Sequence, residues 1–124
     1  MNNATLTKIG TVIYALVIAF FGVNHFLNAG VMAGMVPSFF PVGAFWVYLT
    51  GVALILAAIS FLIGKQARLA GILLAVLLLI IVLTVHLPAI IHAPDIKAAG
   101  VPLSMLIKDT GLAAGALLIA GKSN

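Results

Sequence analysis

Residues 69–91 read LAGILLAVLLLIIVLTVHLPAII, and their composition decides the class of fold. The stretch holds no Asp, Glu, Lys or Arg, and only Thr84 and His86 carry polar side chains. A helix of this kind has no polar face to offer water, so it belongs across a bilayer. Three further runs, Ile9–Leu27, Ala44–Ile63 and Leu112–Ala120 with its leader, are also free of those four residue types. With 65% apolar residues in 124, the chain has too little polar surface to enclose them in a water-soluble globule. The expectation is an all-α, integral membrane bundle of four transmembrane helices forming a single domain over residues 1–124.

The spans are expected at about 7–28, 43–64, 69–91 and 102–121. At 1.5 Å per residue the first covers about 33 Å, enough for a hydrocarbon core of about 30 Å. Lys8 and the apolar run after it, ending near Asn28-Ala29-Gly30, also have the outline of a secretory signal, but a retained first span is the expectation. Gly30, Gly34, Pro37 and Pro41 punctuate the first connection, which carries Phe39 and Phe40. Lys65-Gln66-Ala67-Arg68 is a short basic turn. Pro88 is expected to kink or end the third span, and Pro102 to stand in the first turn of the fourth.

Lys8, Lys65, Arg68 and Lys122 fall on the side that holds both termini and the middle turn, with Lys97 and Lys108 on the other. The positive-inside rule then places both termini in the cytoplasm of a multi-pass protein of the cytoplasmic (inner) membrane. The net charge of +4 comes from residues scattered at helix ends, which excludes a nucleic-acid partner. The absence of cysteine excludes disulfides, dithiol chemistry and thiolate metal sites. No Gly-rich phosphate loop, nucleophile elbow or paired carboxylates are present.

Small residues recur at helical spacing: Ala15, Ala19 and Gly22; Thr50, Ala53, Ala57, Ser60 and Gly64; Gly71 and Ala75; and Gly111-Leu-Ala-Ala-Gly115. In lipid such stripes let backbones approach closely, so each is expected to face a neighbouring helix. An offset of 61 residues superimposes Gly10 on Gly71, His25 on His86 and Pro41 on Pro102, the outline of two helical-hairpin half-repeats.

Ionisable groups inside a membrane cost roughly 2.5–3.5 kcal/mol at a helix centre, so each is a candidate for function. Asp109 shares a helix face with Ala113, Ala116 and Ala120. It is either an interfacial carboxylate near a helix N-terminus or a paired carboxylate inside the bundle. His25 and His86 continue the small-residue stripes of the first and third spans at similar depth. Each either bonds a backbone carbonyl or loop group, or joins Asp109 in a polar cavity beneath the outer loops. The lining expected for that cavity is Asn24, His25, Thr50, His86 and Asp109, capped by Trp46 and Tyr48. An imidazole–carboxylate pair there could relay protons or orient a polar head group. Two histidines on different helices also meet the minimum for bis-imidazole haem ligation, while lacking the further ligands of a zinc site.

Gly22-Val-Asn-His25-Phe26, followed by Pro37 and Pro41, then Val47-Tyr-Leu-Thr-Gly51 and the basic turn, resembles the DoxX family of small four-helix bacterial and archaeal membrane proteins. That resemblance implies matching roles for Gly22, His25, Phe26 and Gly51, and a link to membrane redox complexes, since the family name derives from a subunit of thiosulfate:quinone oxidoreductase. The glutamate that many relatives carry after the second-helix glycine is missing from Val52-Ala-Leu-Ile-Leu-Ala-Ala. Its role is absent here or falls to Asp109, and the lack of cysteine argues against sulfur transfer. The expected function is a non-catalytic membrane subunit that binds a quinone, lipid or similar amphiphile and serves a redox or envelope partner. A small transporter working as a homo-oligomer, a haem protein and a ligand-free assembly factor are the alternatives.

Overall fold

A computed structural model describes residues 1–123; Asn124 of the expected domain lies outside the described residues. Every regular element among them is helical: α1 (Asn3–Leu27), α2 (Ala29–Ala33), α3 (Gly43–Ile63), α4 (Ala67–Ile81), a π-helical turn (Val82–His86), α5 (Leu87–Ile91) and α6 (Ile96–Gly121). Four helices are long and apolar enough to cross a membrane: α1, α3, the continuous rod from α4 through α5, and α6.

Three helices start before their expected bounds, and side-chain capping explains the starts of α1 and α6. The Asn2 side chain accepts the Thr5 amide at 2.8 Å, so α1 begins at Asn3. The Asp95 carboxylate accepts the Ala98 amide at 2.7 Å, so α6 begins at Ile96. Pro102 consequently stands inside α6 rather than in its first turn. Pro88 does not end its span, which continues to Ile91. Proline has no N–H for the carbonyl four residues earlier. The chain widens just before it, with the Leu87 amide bonded to Val82 five residues back, and then continues as α5. The basic turn is tighter than Lys65–Arg68: Gly64 takes the left-handed cap position at φ 73°, and Ala67 and Arg68 already belong to α4.

Packing is closest within two antiparallel pairs, α1 with α3 and α4 with α6. Gly22 and Gly51 cross: a Cβ on either would lie 3.1 Å from the other's carbonyl oxygen. Phe26 then reaches the Tyr48 ring, with centroids 5.7 Å apart. The Gly22, Phe26 and Gly51 positions of the quoted motif therefore act at a helix crossing. In the second pair, a Cβ on Gly71 would lie 2.6 Å from the Ala116 carbonyl oxygen.

The pairs join through a core built mostly of alanine and leucine, with Ile18 as its largest fully buried side chain. The Tyr14 hydroxyl donates across it to the Leu112 carbonyl, tying α1 to α6. The stripes on α1 and α4 pack as expected, with Ala15, Gly22, Gly71 and Ala75 all buried. The α3 stripe packs at Ala57, which is buried in the core, and not along its length. Gly51, Leu54, Ala58 and Phe61 form the buried face, while Thr50, Ala53 and Ser60 border an opening between the pairs. On α6, Gly111 meets nothing and Gly115 receives the Tyr14 ring.

Candidate functional site

The opening is a cleft of about 970 Å³ between α3 and α4, backed by α1 and α6. It runs from Ser60 and Gln66, at the short-turn end, to Phe40 and Trp46 at the long-loop end. The connection after α1 roofs it with Met32, Met35, Val36 and Pro37. Leu49 and Leu56 on one wall and Leu69, Leu73 and Ile80 on the other are exposed apolar residues, so the cleft opens sideways, where lipid would lie.

One polar cluster interrupts the apolar lining. His86 is 7% exposed and its Nε2–H donates to Asp109 Oδ2 at 2.7 Å. Side chains lean towards the N-terminus of their own helix. In an antiparallel pair that inclination carries His86 and Asp109 towards one another, which lets a residue near the end of its rod meet one near the middle of α6. The Thr84 hydroxyl, inside the widened turn, donates to the Ile80 carbonyl at 2.7 Å. Asp109 is buried beside Ala113, Ala116 and Ala120 on the anticipated face. It is the paired carboxylate inside the bundle, not an interfacial one: α6 starts six residues earlier than Pro102, which puts Asp109 about 20 Å along the helix at 1.5 Å per residue.

The second carboxylate oxygen, Oδ1, lies 3.4 Å from Lys108 Nζ. The expectation puts Lys108 on the outer side with Lys97. Lys108 lies beside Asp109 along the middle of α6, with its ammonium 4.2 Å from the centroid of the Phe21 ring on α1. This geometry allows a cation–π contact and gives the cation a partner on the opposite helix pair.

His25 is half-buried and lines the cleft; its Nδ1–H donates to the Phe21 carbonyl at 2.6 Å, which leaves Nε2 as the acceptor in the neutral ring. Thr50 donates its hydroxyl to Trp46 at 2.8 Å. The Asn24 side-chain oxygen accepts from the Asn28 amide. Of the expected cavity residues, the structure brings Asn24, His25, Trp46, Thr50, His86 and Asp109 to one cleft. Tyr48 is outside it, exposed and stacked on Phe26, because it follows Trp46 by two residues and so points to another face of α3. Trp46 is held at the rim by donating its indole N–H to the Pro41 carbonyl at 2.8 Å.

Sequence reasoning missed Lys108 and Tyr14. The helix boundary hid the first: with α6 begun at Ile96, Lys108-Asp109 reads as an ion pair at mid-span. Nothing local marks Tyr14, whose partner is 98 residues away. Among the described residues no three of His, Cys, Asp or Glu gather as a metal site. The Nε2 of His86 is engaged with Asp109, so haem ligation through that nitrogen would break the buried pair.

Residues 14–121 match the family described as Domain of unknown function (DUF8561), and the chain belongs to that family. No curated protein and no solved structure matches it.

Proposed function

We propose that this DUF8561 protein is a non-catalytic membrane subunit whose cleft binds an amphiphile, a quinone or a lipid, and presents it to a redox or envelope partner. The observation that carries the reading is the coincidence of a sideways-open apolar cleft with the His86–Asp109–Lys108 cluster, His25 lining the same cleft. Its volume falls within the roughly 300–1,000 Å³ of small-molecule sites, and apolar walls with a few convergent polar groups are their usual composition. The DoxX likeness of Gly22, His25, Phe26 and Gly51 supports the link to a redox partner and rests on those motif residues alone. Purified protein is expected to retain about one amphiphile per chain, detected by mass spectrometry of organic extracts. Ala53→Trp, which fills the cleft from α3, is expected to lose it. Extracts without any stoichiometric amphiphile, together with a His25→Ala variant that leaves every associated activity intact, would overturn the proposal.

The same reading turns the roofed end of the cleft towards the outer leaflet, with both termini in the cytoplasm. Lys108 no longer counts among the loop charges, so Lys8, Lys65, Arg68 and Lys122 at one end stand against Lys97 alone at the other. Because the chain has no cysteine, single replacements report cleanly. In intact cells an impermeant thiol reagent is expected to label Lys97→Cys and to leave Lys65→Cys unlabelled until the membrane is opened. The opposite pattern refutes the orientation.

A further inference from the structure

The hydrogen bonds around the cleft restrict what head group it can take. Thr50 and Thr84 donate their hydroxyl protons to carbonyls of their own helices. His25 donates Nδ1–H to Phe21, and His86 donates Nε2–H to Asp109. The ammonium of Lys108 carries three N–H groups. One is accounted for by Asp109 Oδ1 at the long distance of 3.4 Å, and the Phe21 ring stands beside the rest. The Lys108 side chain is 42% exposed and lines the cleft, so it is the strongest donor left over there. A half-compensated cation in an apolar surrounding attracts an anion far more strongly than it would in water.

Resting on the proposal that the cleft binds an amphiphile, we infer that this amphiphile is a long-chain carboxylate, with its acid oxygen on Lys108 Nζ and its chain lying between α3 and α4. Asp109 sits against the same ammonium, and its carboxylate repels a doubly charged phosphate monoester more strongly than a singly charged acid head. Below the cluster the cleft continues past Ala53 and Leu73 to Ser60 and Gln66. Thr50 to Ser60 alone spans about 15 Å of helix, room for an extended alkyl tail. The exposed leucines at the mouth give such a tail a sideways entry from lipid.

The test compares radiolabelled hexadecanoate with its methyl ester on the purified protein in neutral detergent, with hexadecyl phosphate as a third ligand. The acid is expected to bind at least about tenfold more tightly than the ester, the ratio that one charge-assisted hydrogen bond supports. Lys108→Met is expected to bring the two together by weakening the acid alone, and Lys108→Arg to preserve the preference. Equal binding of acid and ester by the wild type overturns the acid head and leaves the amphiphile reading standing. Tighter binding of the phosphate overturns it equally, as does a Lys108→Met variant that still prefers the acid. Binding of none of the three overturns this inference, while the amphiphile reading it rests on stands or falls separately by the organic extracts. Should Lys108→Met fail to fold, the wild-type comparison decides the head group and Lys108→Arg the role of the cation.

Discussion

Asp109→Leu is expected to lower the stability of the bundle by about 3 kcal/mol or more, the cost of leaving buried partners without their counter-charge. Both carboxylate oxygens are engaged, one by His86 and one by Lys108, and the residue is buried. Replacing it strands an imidazole N–H and an ammonium in an apolar setting, where no water makes up the loss. Asp109→Asn should cost less, because the amide oxygen still accepts from His86 while the charge opposite Lys108 is gone. Lys108→Met combined with Asp109→Leu should be less damaging than Asp109→Leu alone, since the stranded cation leaves with its partner. Unfolding by titration of mixed micelles with a denaturing detergent, followed by helicity, measures all three. An Asp109→Leu protein within about 0.5 kcal/mol of wild type, the range of ordinary surface changes, would show that the pair is solvated and unimportant to the fold.

Gly71→Leu is expected to abolish the packing of α4 on α6, and with it the folded bundle. Even the first carbon of a side chain at that position falls 2.6 Å from the Ala116 carbonyl oxygen and 2.9 Å from the Ala120 Cβ. The nearer obstacle is backbone, so it cannot rotate away, and the two helices must separate. Gly71→Ala alone should cost about 1–3 kcal/mol, the usual penalty of overpacking. Gly10→Ala and Gly111→Ala are the controls. Neither Cβ meets anything within 4 Å, so both should stay within about 1 kcal/mol of wild type. The same detergent titration distinguishes these outcomes. If Gly71→Leu unfolds like the controls, α4 and α6 do not approach as described.

The legible part of this protein is the part that solvent dictates. Residues 69–91 must be helical and must avoid water, because the polar backbone of an apolar segment in lipid can satisfy its hydrogen bonds only within itself. The small residues Gly22 and Gly71, and the Asp109–Ala113–Ala116–Ala120 face, could be assigned to contacts because close approach is the main attraction left to helices in lipid. Local chemistry is present at the start of α6, where the Asp95 cap outranks Pro102 and moves Asp109 deeper along the helix, to its middle. The reading of Thr50, Ala53 and Ser60 as a packed stripe failed for another reason. A small residue beside a void and a small residue beside a helix look the same in one dimension.

The chain of residues alone established four lipid-compatible helices and the few titratable groups they carry, because the insertion cost of each charge and the length of each apolar run are properties of single segments. It did not establish which of those groups meet. The coupling of His86 to Asp109, the seat of Lys108 on Phe21 and the cleft between α3 and α4 depend on where one helix pair stands against the other. That placement comes from glycine crossings and a tyrosine tether that join residues 29 to 98 positions apart. Periodicity within a helix reports which face is small, and contact across helices requires all four to be in place.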